Sequence, residues 1–352
     1  MAGSGGERCL VIGGAGMLGY DIVTRLISGG HDVRVLDLAP VEDDRIELLL
    51  GDIRNAEQVN LACSGVDVVF QTAAAVWNPR LPRSNYAEVN IGGNRNVIEA
   101  CRRNRVRRLV FTSSMDVVVD GRKPIVQGDE SLQYPSRPPA DIYSRTKIEA
   151  EKLILSANGL DLATCVLRPA GMYGPRDKYH LPNVIDLARK GRNIRVGNGQ
   201  SLFSHVYSEN VAQAHLLAAS RLYPGSPIAG ESYFITDDTP DENLFDFVAP
   251  FLEELGLPRA RRSIPYLPAY LLASIVEFFF PRSRLCRFSV VQTCVHHTFV
   301  HTKATRDFGY TPEVPPDEAF RRTATWFRKW YEQLNGANPR RRSAPSRRTV
   351  SG

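Results

Sequence analysis

Five short apolar runs recur along the first 175 residues, and a stretch of helical character follows each of the first four. Within the runs the apolar residues are mostly consecutive, which is typical of strands that helices bury on both faces. Such an alternation of strand and helix predicts a doubly wound α/β fold, whose right-handed crossovers build a parallel sheet. The predicted strands are Cys9–Gly13, Asp32–Asp37, Val66–Thr72, Arg108–Ser114 and Thr164–Pro169.

A glycine-rich sequence follows the first predicted strand and opens the first predicted helix. It contains Gly13, Gly16 and Gly19, with Met17 and Leu18 between the last two glycines. This spacing lets the backbone turn tightly, approach a pyrophosphate and bring the helix close to the sheet. The N–H groups and the dipole at the helix start then hold the phosphate charge. The strand and helix around the glycines therefore predict a Rossmann-type dinucleotide site.

An acidic residue ends the second predicted strand. Asp37 lies 18 positions after Gly19, where a carboxylate can accept hydrogen bonds from the adenosine ribose. A 2′-phosphate would meet like charge there, and Leu38 supplies no base, so NAD is favoured over NADP. Asp52 and Ile53 lie in the sequence GDIR, in a loop that could cap the adenine. A helix N-cap is an equally good interpretation of Asp52.

A tyrosine and a lysine lie four positions apart on a helix predicted to end at Asn158–Gly159, so Tyr143 and Lys147 share a face. A phenol with a pKa of about 10 is a poor base at neutral pH, but a nearby ammonium favours the phenolate. Tyr143 can then accept the proton of an alcohol, and Lys147 can also bind the nicotinamide ribose. Ser113 and Ser114 end a strand at the edge where ligands bind. One can steady a substrate oxygen while the other closes backbone hydrogen bonds.

The motifs GGAGMLG, GDIR, TSS, YSRTK and LRPAGMYGP occur with Asp37 in an order and at separations that resemble the extended short-chain dehydrogenase/reductases. The segments GDESLQYP, FSHVYSENVAQAHLLAA, GESYFITDDTP and KATRDFGYTP resemble the 3β-hydroxysteroid dehydrogenase/isomerase branch. They are most similar to family 42E members and to the related sterol-4α-carboxylate 3-dehydrogenases. The resemblance spans roughly residues 8–332, which is nearly everything expected to fold.

The resemblance implies an NAD-dependent oxidoreductase that passes hydride between C3 of a steroid-like alcohol and the nicotinamide. Tyr143 would be the acid/base, Lys147 its partner and Ser114 the hydroxyl that orients the substrate. Tyr143 and Lys147 would also contact the cofactor. Three further positions fall where the family lines the cofactor: Ala73, Ala74 and Asn90. A homodimer through two helices flanking the sheet edge is usual for this fold.

Three residues depart from the family pattern. Ile12 stands where a threonine is common, Gln71 where many members have a histidine, and Asn94 where a threonine is usual. None of these replacements removes a catalytic group. They therefore leave the predicted chemistry intact and affect only the details of cofactor contacts.

The chain of 352 residues divides into two predicted units and a tail. Residues 7–175 form the NAD-binding core, to which the chain returns at about residues 203–237. Residues 176–202 and 238–335 form a smaller, mostly helical substrate lobe. Residues 336–352 lack the apolar content needed to pack, and we predict that they are disordered.

The net charge of +6 does not indicate a nucleic-acid partner. Residues 336–352 hold five arginines and no acid, so the remainder carries only +1. With 43% hydrophobic and 23% charged residues, the composition is that of a globular protein rather than a disordered, fibrous or multispan membrane protein. Six cysteines without CxxC spacing, and an N-terminus without an apolar signal segment, favour a cytoplasmic protein with reduced thiols.

The most apolar segment comprises residues 264–280. Its 17 residues include Pro265, Pro268 and Glu277, so it falls short of the roughly 20 apolar residues of a membrane-spanning helix. One interpretation is an amphipathic cover over an apolar pocket, in peripheral contact with the cytosolic face of a membrane such as the endoplasmic reticulum. The other is a buried core helix.

Two alternative functions are consistent with the same motifs. A nucleotide-sugar epimerase or dehydratase of this fold uses the same serine, tyrosine and lysine. It should need cationic or polar groups for a diphosphate, and residues 264–280 offer few. A non-catalytic NAD-binding sensor can do without the acid/base pair, which is present here. The steroid oxidoreductase is therefore the preferred interpretation.

Two other groups of candidate residues are given structural roles. His296, His297 and His301 lie in strand-forming sequence, so their helical spacing is not secured and no metal is predicted. Asp237 and Asp238 could serve a double-bond isomerase step, but a turn at a strand end is the preferred interpretation.

Overall fold

The computed structural model describes residues 6–78, 81–121, 123–139, 141–280, 283 and 285–336. The regular elements up to residue 173 are, in chain order, β1 (Arg8–Ile12), α1 (Met17–Ser28), β2 (Asp32–Asp37), β3 (Ile46–Leu50), α2 (Ala56–Ala62), β4 (Val68–Gln71), α3 (Arg83–Ala87), a π-helical segment (Glu88–Gly93), α4 (Asn94–Arg103), β5 (Arg108–Thr112), a 3₁₀ turn (Met115–Val117), β6 (Ile125–Gly128), α5 (Ile142–Ser156), β7 (Ala163–Pro169) and β8 (Gly171–Tyr173).

The elements after residue 173 are mostly helices. They are α6 (Leu181–Arg189), β9 (Ile194–Val196), β10 (His205–Tyr207), α7 (Ser208–Arg221), β11 (Glu231–Ile235), α8 (Leu244–Glu254), β12 (Arg262–Ile264), α9 (Tyr266–Phe279), α10 (Arg287–Cys294), β13 (His297–Phe299), α11 (Thr302–Phe308) and α12 (Pro316–Gly336).

Seven strands form a parallel sheet in the order β11-β7-β5-β4-β1-β2-β3. The chain builds outward from β1 to β3 on one side and then from β4 to β11 on the other. The order therefore reverses between β1 and β4, and a ligand crevice opens at the carboxyl ends of strands at such a point. The predicted doubly wound α/β fold is confirmed.

Helices cover both faces of the sheet, and for this reason the strands consist of consecutive apolar residues. Val11 packs with Ile22 of α1 on one face, while Leu10 packs with Val97 of α4 on the other. Neighbouring residues of a strand point to opposite faces, and here both faces are buried. Burial of each such aliphatic side chain contributes roughly 1.5–3 kcal/mol.

The later part of the chain packs around two further apolar clusters. Helices α6, α8 and α12 enclose Tyr173, Phe251 and Phe327, while α9 and α10 meet around Ala273 and Val290. β13, which follows α10, pairs with β6 in the segment after β5. This pairing places α10 beside the carboxyl end of β5.

The structure decides between the two interpretations of residues 264–280. In α9 only Ala269 and Ala273 are buried, whereas Leu271 and Phe278 are 59% and 81% exposed. The buried-core interpretation of residues 264–280 is therefore wrong. The predicted disordered tail lies outside the described residues, except for Gly336 at the end of α12.

Candidate active site

The glycine-rich loop between β1 and α1 has the close packing that a dinucleotide site requires. Gly13 has a φ of +91°, and a Cβ there would lie 2.7 Å from the main-chain nitrogen of Ala73. A Cβ at Gly19 would lie 2.1 Å from the carbonyl oxygen of Gly13. The helix begins after Gly16 without a side-chain cap, so its first N–H groups face outward. These residues fit the pyrophosphate of a dinucleotide.

Asp37, at the end of β2, accepts hydrogen bonds that hold this loop in place. Its Oδ2 accepts a 2.9 Å hydrogen bond from the N–H of Ala15, and its Oδ1 accepts one of 2.9 Å from the N–H of Ala39. The carboxylate thus sits at the crevice edge, next to the glycine-rich loop. Leu38 beside it is exposed and apolar, so this neighbour supplies no positive charge to the carboxylate.

The segment after β3 differs from one expectation. Asn55 caps α2 by accepting from two main-chain N–H groups, so the N-cap interpretation of Asp52 is wrong. Asp52 instead forms a 2.6 Å ion pair with Arg54, which lowers the pKa of Asp52. Ile53 is buried against Gly93 and faces the core.

Hydrogen bonds of two asparagines organise the segment after β4. The buried Asn90 accepts from the N–H of Ala75 at 2.8 Å and donates to Thr146 Oγ1 at 3.0 Å, which ties this segment to α5. Gln71 donates to Asn94 Oδ1 at 3.1 Å, so two of the departures from the family pattern pair with each other. The remaining predicted cofactor residues are Met17, Ala73 and Ala74, which are partly exposed, and Leu18, which is buried.

Lys147 joins α5 to the end of β5. Its ammonium donates a 2.7 Å hydrogen bond to the carbonyl oxygen of Thr112 and lies 4.4 Å from the centre of the Phe111 ring. Tyr143 lies one helical turn before Lys147, as the spacing predicts, and the Ser114 hydroxyl is close enough to lower the pKa of its phenol. The structure therefore brings Tyr143, Lys147 and Ser114 together at the carboxyl edge of the sheet.

Burial dominates the titration of these groups. It raises the pKa of Tyr143, the charge of Asp116 raises it further, and the neighbouring Ser114 hydroxyl opposes both effects. Burial also lowers the pKa of Lys147 to about 7, although Glu151 and Asp116 act in the opposite direction. The main influences on the phenol are thus burial and Asp116, rather than the lysine charge on which the sequence analysis relied.

The two neighbouring serines have different partners. Ser113 donates to the carboxylate of Glu151, which is fully buried and also accepts from Tyr134 at 2.7 Å. Glu151 forms an ion pair with the buried Arg168 as well. Ser113 is therefore held in a structural network, and Ser114 is the serine beside the phenol.

Asp116 is a site residue that the sequence analysis missed. It is 8% exposed, accepts from Ser114 Oγ at 3.0 Å, and accepts from Gln292 Nε2 of α10 at 2.5 Å. Burial raises the pKa of Asp116 to about 6. The one signal in the sequence was an acidic residue inside the otherwise apolar run MDVVV.

A cavity of about 210 Å³ opens beside this site. Its walls include Tyr270 of α9, Phe288 and Gln292 of α10, and Ser144, the neighbour of Tyr143. Within the described part of the chain, no group of three or more potential ligands could hold a metal ion.

Comparison with known proteins identifies the family. Residues 10–266 match the model of the 3-beta hydroxysteroid dehydrogenase/isomerase family. The chain belongs to this family. It is 38% identical to the Bos taurus short-chain dehydrogenase/reductase family 42E member 1, over 92% of this chain and 87% of the relative. It is 36% identical to the Mus musculus sterol-4-alpha-carboxylate 3-dehydrogenase, decarboxylating, over 91% of each. As a member of the family, the chain is an oxidoreductase of the extended short-chain dehydrogenase/reductase class.

Solved structures show the same fold at low identity. A UDP-glucose 4-epimerase from Thermotoga maritima superposes with a TM-score of 0.73 at 22% identity, covering 92% of this chain and 99% of that chain. An epimerase from Methanothermobacter thermautotrophicus gives 0.76 at 22% identity, covering 94% and 95%. These matches establish the extended Rossmann-type architecture of the chain.

Proposed function

We propose that this protein oxidises the 3β-hydroxy group of a steroid or sterol-like alcohol, or reduces the corresponding 3-ketone, with Tyr143 as the acid/base. The observation that carries the proposal is the meeting of Tyr143, Lys147 and Ser114 at the carboxyl edge of β5, beside a cavity. Its cofactor is NAD, which supplies the hydride acceptor when bound.

The cofactor-binding residues each have a separate task in this proposal. The start of α1 after Gly16 holds the pyrophosphate, because its N–H groups have no side-chain cap. Asp37 accepts hydrogen bonds from the adenosine ribose and repels a 2′-phosphate. Lys147 donates to the nicotinamide ribose from its position next to Thr112.

The proton moves at the phenol oxygen of Tyr143. In the oxidising direction this oxygen accepts the hydroxyl proton of the substrate, and in the reducing direction it donates a proton to the ketone oxygen. Lys147 stabilises the phenolate by its charge, and Ser114 holds the substrate oxygen next to Tyr143. Because Lys147 has a pKa of about 7, its charge is available mainly at neutral and lower pH.

The cavity wall is partly polar and partly apolar, and its apolar part supports a flat, apolar substrate. Phe288 and Val291 of α10 line it, and Tyr270 closes it from α9. An apolar substrate gains free energy from leaving water for such a surface. Relatives whose names specify a sterol carboxylate or a 3 beta-hydroxysteroid support the same substrate class.

We also propose that α9 rests on an anionic lipid surface, such as the cytosolic face of the endoplasmic reticulum. Leu271, Ile275 and Phe278 share one exposed face of this helix. The exposed Arg261 and Arg262 precede it and can pair with lipid head groups. None of the described helices is both long and apolar enough to cross a bilayer.

Flotation of the full chain with vesicles tests the lipid contact. Binding to phosphatidylcholine vesicles that contain phosphatidylserine should be lost when Leu271→Glu and Phe278→Glu are combined. Leu160→Glu is the matched control, because Leu160 is 82% exposed in the loop before β7. Equal flotation of all three proteins would contradict the proposal.

A nucleotide-sugar epimerase or dehydratase is the second candidate. The observation in its favour is Arg137, which lines the cavity and could meet a diphosphate. The other arginine in the wall, Arg287, already pairs with Glu277 at 3.1 Å. Incubation of the protein with NAD and 3β-hydroxysteroids, and in parallel with a panel of UDP-sugars, separates the candidates. NADH absorbance with the steroids alone would support the proposed function, whereas conversion of a UDP-sugar alone would refute it.

The predicted homodimer is a separate question. Sedimentation velocity of the purified chain would test it, with a mass near twice that of the monomer as the expected result.

A further inference from the structure

A chain of hydrogen bonds runs from α10 and β13 to the active-site serine. His297 Nε2 lies 3.1 Å from Gln292 Oε1, and Gln292 Nε2 donates to Asp116 Oδ1. Asp116 Oδ2 then lies 3.0 Å from Ser114 Oγ. Ser114 and His297, at the two ends of this series of hydrogen bonds, lie far apart in the sequence. The series holds α10 against the edge of the sheet that carries the active site.

The protonation of the histidine agrees with the donor directions along these hydrogen bonds. Burial lowers the pKa of His297 to about 4, so its imidazole is neutral at physiological pH and carries one N–H. Its Nε2 faces an amide oxygen and must carry this hydrogen, while the buried Nδ1 has no partner. The amide nitrogen of Gln292 faces the Asp116 carboxylate, which when ionised can only accept. Each contact to the Asp116 carboxylate then comes from a donor.

We propose that Asp116, held by Gln292, is a positioning residue that fixes the direction in which the Ser114 hydroxyl donates its hydrogen. A serine hydroxyl has one hydrogen to donate and two lone pairs that accept. While that hydrogen points to Asp116, Ser114 cannot donate it to the phenolate oxygen of Tyr143. Asp116 therefore withholds the contact that would lower the pKa of Tyr143, and it raises the pH at which Tyr143 becomes a proton acceptor.

The charges around this group agree with that direction. The Asp116 carboxylate raises the pKa of Tyr143, and Lys147 opposes the burial of Asp116 by lowering its pKa. The other titratable groups that face the pair are Asp141, which raises both pKa values, and Tyr86. Glu151 lies one turn beyond Lys147 and acts on the lysine.

Substitution by asparagine should reverse the hydrogen bond. In Asp116→Asn the amide oxygen takes the Gln292 donor, so the amide nitrogen faces Ser114. Ser114 then accepts from residue 116 and is free to donate to the phenol. We expect the acid limb of the rate of alcohol oxidation to move to lower pH by about one unit. A purely structural role for Asp116 would lower kcat without moving this midpoint.

A second measurement reads the carboxylate itself and needs no substrate. Carbon NMR of the full chain labelled at aspartate carboxyls gives the midpoint of Asp116, which is assigned by its absence in Asp116→Asn. Because Ser114 and Gln292 donate to the ionised carboxylate, Ser114→Ala and Gln292→Met should each raise this midpoint by about one unit. Glu149→Gln, an exposed change on α5, should leave it unchanged.

The inference rests on the proposed function. The kinetic and the NMR experiments distinguish a failure of the inference from a failure of the proposed function. Absence of steroid oxidation by the unaltered protein would refute the proposed function, while the NMR midpoints would still decide the role of Asp116. An unchanged midpoint in Ser114→Ala would overturn the inference. If Asp116→Asn does not fold, Ser114→Ala and Gln292→Met still provide the test.

Discussion

The ammonium of Lys147 donates to the carbonyl oxygen of Thr112 across 2.7 Å, two residues before Ser114. This hydrogen bond joins the helix that carries Tyr143 to the strand that delivers Ser114. Lys147 is only 2% exposed, so its hydrogen bond and its charge act in a site from which water is largely excluded. The lysine therefore sets the geometry of the site as well as its charge.

Removal of the Lys147 ammonium, which makes this hydrogen bond, should affect both turnover and cofactor binding. Lys147→Met deletes the donor to Thr112 and to the nicotinamide ribose, so we expect kcat to fall at least about 100-fold and NAD to bind more weakly. Steady-state kinetics with a 3β-hydroxysteroid and fluorescence titration with NADH measure the two effects. Lys152→Met is the control on the exposed side of the same helix. Unaltered NAD affinity would contradict the assigned role.

Loss of the phenol hydroxyl should affect turnover alone. Tyr143→Phe deletes one hydroxyl, which moves the proton, and leaves the other NAD contacts in place, so turnover should be abolished while NAD affinity stays within a few-fold. The exposed Tyr223→Phe should retain normal activity. Turnover by Tyr143→Phe at the rate of the unaltered protein would refute the assignment of Tyr143.

Asp37 should decide the choice between the two nicotinamide cofactors. Asp37→Ala removes the ribose acceptor and the negative charge that opposes a 2′-phosphate, so NAD binding should weaken and discrimination against NADP should relax. It also removes the acceptor for the N–H of Ala15 in the glycine-rich loop. Asp32→Ala, at the other end of β2, is the control. Titration with both cofactors measures the change, and identical constants for Asp37→Ala and the unaltered protein would overturn the argument.

The buried ion pair beneath the site should be essential for stability. Glu151→Gln leaves the Arg168 guanidinium buried without a counter-charge, so the free energy of unfolding should fall by about 3–5 kcal/mol. Urea unfolding followed by circular dichroism measures it. Glu149→Gln, two residues away and exposed, should change stability by less than about 0.5 kcal/mol. Equal stability of both variants would show that Arg168 finds another partner.

A carboxyl group of α1 should make stability depend on pH. Burial raises the pKa of Asp21 to about 7, whereas an unfolded aspartate titrates at about 4. Between these values the native state binds the extra proton, so the free energy of unfolding decreases as the pH rises from about 4 to about 7. Asp21→Asn should remove this part of the slope, and the exposed Asp161→Asn should not. Thermal unfolding across this pH range measures both, and equal slopes would contradict the prediction.

Much of the fold could be predicted from the sequence because its signals are local. The consecutive apolar residues of the strands, the glycines around Gly13 and the four-residue spacing of Tyr143 and Lys147 each lie within one element. The same local patterns misjudged Asp52, because Asn55 competes for the cap three residues later. They also could not decide between burial and exposure of α9, since the sequence does not say which neighbours cover a helix.

By itself the sequence determined the parallel α/β architecture, the dinucleotide loop and the tyrosine and lysine on one helical face. Only the tertiary structure decided which serine faces the phenol, because Ser113 is taken by Glu151, 38 residues away. It alone revealed Asp116 as part of the site, since its partner Gln292 is 176 residues distant. The pattern of apolar residues that predicts a strand or helix depends on neighbouring residues, whereas the partner of a buried hydrogen bond depends on how distant elements pack.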